Sequence, residues 1–117
     1  MRNKISCLFI GLLMLNTTFA QDVSKKPDAQ TLALGSYYKC IADYSKRLAS
    51  TKELPADIAT ASISSCSNKL NDLGKIFMGN GLTWKAWDDL LPSFESNANK
   101  LAIKTVMDAR YPGATKN

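Results

Sequence analysis

Two cysteines, Cys40 and Cys66, constrain this chain more than any other feature. They stand 26 residues apart, and the residue midway between them is Glu53. The stretch Ser50 to Leu54 reads as a connection between two amphipathic segments. Two antiparallel helices turned back at Glu53 hold both cysteines at one height, each about 13 residues from the turn. Helix axes normally lie about 8–10 Å apart, and a disulfide needs close approach of the α-carbons. Ala59, Ser62 and Cys66 supply the small surface that allows it. The same mirror relation sets Tyr44 near Ser62, Leu48 near Ile58, and Ala33 or Leu34 near Leu73. Closing a loop of this size is worth roughly 3–4 kcal/mol on the chain-entropy view. A redox-active pair would want a Cys-x-x-Cys spacing or an exposed basic setting, and the sequence has neither.

A disulfide needs an oxidising compartment, and the first 20 residues point to one. Met1-Arg2-Asn3-Lys4 is a short basic start, Ile5 to Leu15 is apolar, and Thr18-Phe19-Ala20 suits cleavage between Ala20 and Gln21. This pattern is a secretory signal peptide, and its apolar run falls short of the roughly 20 residues that span a bilayer. No later segment is apolar enough to insert stably in a membrane. Cleavage leaves two of the three cysteines and 13 basic residues against 10 acidic ones, a net charge of +3. The expected destination is the periplasm or the exterior. Residues 21–27 read as a flexible lead, 28–113 as one helical domain and 114–117 as a tail.

The periodicity is helical throughout that domain. Asp28 is the expected N-cap of a helix from Ala29 to Ala49 whose apolar face is Leu34, Tyr37, Tyr38, Ile41, Ser45 and Leu48. Pro55 opens a second helix, expected to run unbroken to Met78 with Ala59, Ile63, Cys66, Leu70, Leu73 and Phe77 as its stripe. Gly79-Asn80-Gly81 stops it. Thr83 caps a third region, with Leu82 and Trp87 as a hydrophobic staple. Its stripe is Trp84, Trp87, Leu91, Phe94, Ala98, Leu101 and Thr105, and Pro92 is expected to kink it or split it into 84–90 and 92–109. The fold expected is all-α: a small three- to four-helix bundle, its first two helices an antiparallel hairpin clamped by one disulfide.

Composition narrows function mainly by exclusion. The chain has no histidine, so the commonest general base and the commonest metal ligand are both missing. With both remaining cysteines paired, no metal or cofactor is expected. The lysines are spread with acids between them, so no basic stripe marks a nucleic-acid surface. Asp88, Asp89 and Glu95 form one carboxylate cluster, and a glycan hydrolase would need two such groups flanking a cleft. The ordinary reading is charge near a helix start, favoured by the dipole. Ser65 and Lys69 are helical neighbours, but a serine–lysine pair also needs a desolvated lysine and an oxyanion hole. Tyr37, Tyr38 and Tyr44 could line a pocket, though phenols on one helix more often supply core bulk.

Recognition is where the sequence is positive. Trp84 and Trp87 follow a glycine-rich turn and precede Asp88 and Asp89, an aromatic-acidic corner of the kind found at binding hot spots. The expectation is a non-enzymatic exported protein that binds another envelope or secreted protein, with toxin neutralisation or inhibition as its concrete form. An envelope-stress chaperone or small-ligand carrier is the alternative. A carboxylate-based hydrolase is the remote one.

Overall fold

The computed structural model describes residues 27–114. The signal peptide expected over 1–20, all of the lead except Pro27, and the tail after Ala114 lie outside the described residues. Among the described residues there are four helices and no strand: α1 (Ala29–Leu48), α2 (Pro55–Ser65), α3 (Ser67–Gly79) and α4 (Trp84–Arg110). α1 and α4 each pack against the other three.

The helix ends follow from local chemistry. The Asp28 carboxylate accepts the Thr31 N–H at 2.8 Å, and the Thr83 hydroxyl accepts the Ala86 N–H at 3.2 Å. Each satisfies a donor that the first turn leaves unpaired. Pro55, lacking a donor, sits in the first turn of α2. After α3 the Leu82 N–H reaches the Phe77 carbonyl and the Gly81 N–H reaches the Met78 carbonyl, both at 3.1 Å. That pair of bonds is a Schellman closure, and it requires the positive φ of 104° at Gly81, which costs a residue with a Cβ about 1–2 kcal/mol.

The expectation of one unbroken helix from Pro55 to Met78 is corrected at Cys66. That residue ends α2 and begins α3, with φ −99° and ψ 10°. Two causes converge there. Ser62, Ser64, Ser65 and Ser67 are weak helix formers, and the Ser62 hydroxyl donates back to the Ile58 carbonyl at 2.7 Å, a bond that bends helices. The disulfide also holds Cys66 against α1, with 5.9 Å between the Cys40 and Cys66 α-carbons. At Pro92, of the two outcomes expected, the split into 84–90 and 92–109 does not occur: α4 runs through it as one helix of 27 residues. Pro92 and Asp88 are both exposed, so the carbonyl left without a partner lies on the solvent side. Trp87 and Ala98, on either side of the proline, are both buried in the same core.

The core forms where the stripes meet. Tyr37 and Ile41 of α1 face Ala59, Cys66, Leu70 and Leu73 of α2 and α3, and α4 closes over them with Trp87, Ala98 and Ala102. A smaller cluster of Ala49, Ile58 and Val106, with Leu48 against it, lies beside the α1–α2 loop. The buried line of α4 differs from the expected stripe at Trp84, which is exposed, and again after Ala98. It runs Ala98, Ala102, Val106, while Leu101 and Thr105 are only half-buried. The short alanine side chains allow α4 to approach its neighbours closely over that stretch.

The facing pair opposite Ser62 is also shifted by one residue. Ser45, not Tyr44, meets it, with the two hydroxyl oxygens 2.9 Å apart and both residues fully buried. Ser62 has a single proton, and it goes to the Ile58 carbonyl, so Ser45 donates and Ser62 accepts. Tyr44 lies half-buried with the Arg47 guanidinium 5.2 Å above its ring, within cation–π range. At the far end of α4, Arg110 donates to three main-chain oxygens: Nε to Ala49 at 2.9 Å, and Nη2 to Thr51 at 2.8 Å and Glu53 at 2.7 Å. One guanidinium thus fastens the α1–α2 loop to the last helix, across about 60 residues of chain.

Candidate binding groove

The Gly81 turn and the Thr83 cap fix where α4 begins, and so where its two tryptophans point. They part company. Trp87 is 5% exposed and Trp84 is 71% exposed. The Trp87 ring lies 5.8 Å from Phe77 and 5.7 Å from Phe94, and those two are 6.2 Å apart, all tilted. Such geometry adds about 0.5–1.5 kcal/mol per pair to plain burial. The indole rests on Gly74 of α3, where an added Cβ would come within 2.7 Å of the ring. Only glycine leaves that space. A glycine inside a helix costs about 1 kcal/mol against alanine, and here it permits the contact that sets the α3–α4 spacing.

Between α3 and the start of α4 this leaves a groove of about 230 Å³ lined by Asn71, Gly74, Lys75, Met78, Trp84 and Trp87. Trp84 and Trp87 were legible as its aromatic half. Asn71, Gly74, Lys75 and Met78 of its lining do not follow from the sequence reading, although a glycine next to Leu73 of the stripe is a usable signal of close approach. Asp88 and Asp89 are exposed and do not line the groove. They fall in the second turn of α4, past the first turn where the dipole acts most strongly.

The other candidate residues are not gathered into one site. Asp88 and Glu95 are both exposed and two turns apart, a rise of about 10 Å along α4. Ser65 and Lys69 are exposed on either side of the Cys66 break. A second hollow of about 320 Å³ is bordered by Lys46, Thr105, Asp108 and Ala109, with Asp108 ion-paired to Lys104. Among the described residues no three His, Cys, Asp or Glu side chains come together as a metal site.

The tyrosines also separate. Tyr37 is wholly buried, Tyr38 is half-buried with its ring 5.4 Å away, and Tyr44 lies further along α1. The Tyr37 hydroxyl has no hydrogen-bond partner among the described residues. Burial, then the negative charge of Glu95, then Tyr38, push its phenol from 10.0 up to about 12. The folded state holds this proton more tightly than the unfolded chain does. Its contribution to stability is therefore complete below pH 10 and is lost as pH rises through about 12. The loss is at most about 2–3 kcal/mol. Tyr37→Phe is expected to flatten that alkaline limb and to be neutral or stabilising at pH 7, since it removes an orphaned hydroxyl. Urea unfolding at pH 7 and pH 11, with ultraviolet titration of the phenols, checks this; a destabilised Tyr37→Phe at pH 7 would reveal a bond to the hydroxyl.

No protein-family model matches the chain, and neither a curated protein nor a solved structure matches it.

Proposed function

We propose that this chain is a non-enzymatic exported protein that binds a partner protein of the cell envelope or exterior through the groove beside Trp84. The observation that carries the reading is a tryptophan 71% exposed on a rigid mount. Thr83 caps the helix, Trp87 pins its first turns to the core, and Gly81 sets its entry. A large aromatic held this way loses little conformational freedom on binding, which is why such residues dominate interface energetics. Toxin neutralisation or inhibition is the form we favour, because a rigid surface with an aromatic anchor suits tight blocking of one target.

Export is supported by the Cys40–Cys66 disulfide together with the basic, apolar and small-residue pattern of residues 1–20. Among the described residues no helix is long and apolar enough to cross a membrane. We read the scaffold as a bundle whose first two helical segments run antiparallel. The Cys40–Cys66 bond, the Ser45–Ser62 hydrogen bond and the clustering of Ala49 with Ile58 support this, since one number falls as the other rises.

The test compares Gln21–Asn117 with its Trp84→Ala variant as bait for crosslinking in an envelope extract of the source organism. One stoichiometric partner is expected with the parent chain. Trp84→Ala should weaken its capture on the order of 30-fold, as loss of a hot spot of about 2 kcal/mol does. Because Trp84 is exposed, thermal stability should change by no more than about 0.5 kcal/mol. Undiminished capture by a folded Trp84→Ala would remove this reading.

A further inference from the structure

We propose that the groove receives the C-terminal residue of the partner protein, holding a bulky apolar side chain against Trp84, Met78 and Trp87 while Lys75 and Asn71 take the α-carboxylate. This rests on the protein-binding reading above and names the chemistry of its ligand.

The groove has two unlike walls. Met78, Trp84 and the edge of the Trp87 ring, which covers Gly74, make one apolar. Methionine adapts to the shape of what it contacts. Asn71 and Lys75 stand four residues apart on α3, which places them side by side on one helix face about 5–6 Å apart. Among the described residues Lys75 is the only charged side chain lining the groove. Among the described residues it has no ion pair, and the Asn71 amide has no hydrogen bond. An ammonium and an amide, both unengaged at the edge of an apolar slot, fit a ligand with an apolar body and a single carboxylate. Size decides between the sources of such a ligand. At about 230 Å³ the groove is smaller than the roughly 300–1,000 Å³ that enclose a small molecule. It suits one large side chain at the end of a chain whose remainder rests elsewhere on the surface.

Both tryptophans of the chain line the groove, so its occupancy is read directly in their fluorescence. The oxidised exported form is titrated with acetyl-Ala-Ala-Phe bearing a free carboxylate, with the same peptide as its C-terminal amide, and with decanoate. The acid should shift emission to the blue as Trp84 is covered, and the amide should bind on the order of tenfold more weakly. Lys75→Ala, a change at an exposed position, should bring the acid down to the level of the amide. Equal binding of acid and amide, or an acid preference that survives Lys75→Ala, overturns the carboxylate assignment. Tighter binding of decanoate than of the peptide acid assigns the groove to a free amphiphile and overturns the chain-end occupant. No shift with any probe overturns the inference. The protein-binding reading then stands or falls separately, on whether Trp84→Ala loses the captured partner.

Discussion

Trp87→Ala is expected to destabilise the protein by about 3–5 kcal/mol, the range for emptying a buried aromatic site. The indole is 5% exposed, touches Phe77 and Phe94, and fills the space that Gly74 leaves. Its removal empties one end of the core, and the helical backbone at Gly74 has no side chain with which to fill it. For a domain of this size each kcal/mol lowers the melting temperature by about 4–8 °C, so thermal unfolding reads the effect easily. The contrast with Trp84→Ala is the informative part. Two tryptophans three residues apart should behave oppositely, one costing stability and the other costing binding alone. A loss below about 1 kcal/mol for Trp87→Ala would mean that the α3–α4 end is not built around this ring.

Removing the disulfide with the double change Cys40→Ala and Cys66→Ala is expected to cost about 3–4 kcal/mol, chiefly by freeing the unfolded chain. Two local features shape the outcome. Cys66 is 1% exposed, so the lost sulfur also leaves a small void. Against this, the Ser45–Ser62 hydrogen bond and the cluster of Ala49, Ile58 and Val106 join the same segments without any covalent link. The variant should therefore fold while unfolding at a lower denaturant midpoint, which urea titration of the parent and the variant measures. A midpoint that barely moves would show that the unfolded chain already keeps the two segments together.

The parts of the fold legible in the sequence are those governed by neighbours along the chain. Asp28 and Thr83 announce caps because an oxygen near an N-terminus has one obvious use, and Gly81 announces a turn because few residues tolerate its backbone angle. The pairing of Cys40 with Cys66 needed only a count to Glu53. What escaped depends on how one helix is rotated against another. Nothing local says that Ser45, and not Tyr44, should face Ser62, since the two lie about 100° apart on one helix. Pro92 reads as a kink or a split because propensity is local, whereas the burial of Trp87 and Ala98 on either side of it, which favours one continuous helix, is not. The break came at Cys66, where four serines weaken the helix and a covalent bond holds it aside. The groove shows the same division. Its tryptophans lie on α4 next to readable turn signals, but Asn71, Lys75 and Met78 join them only through the placement of α3, which Gly74 controls.

Arg110 carries a consequence for the order of events as the chain is made. Its guanidinium secures the main-chain oxygens of Ala49, Thr51 and Glu53, about 60 residues earlier in the sequence. Synthesis proceeds from the N-terminus, so this first connection stays unfastened until α4 has been made to its last turn. A nascent chain cut short before Arg110 lacks the fastening altogether, whatever its earlier segments have achieved. The final turn of α4 thus completes the fastening of a loop made some 60 residues earlier.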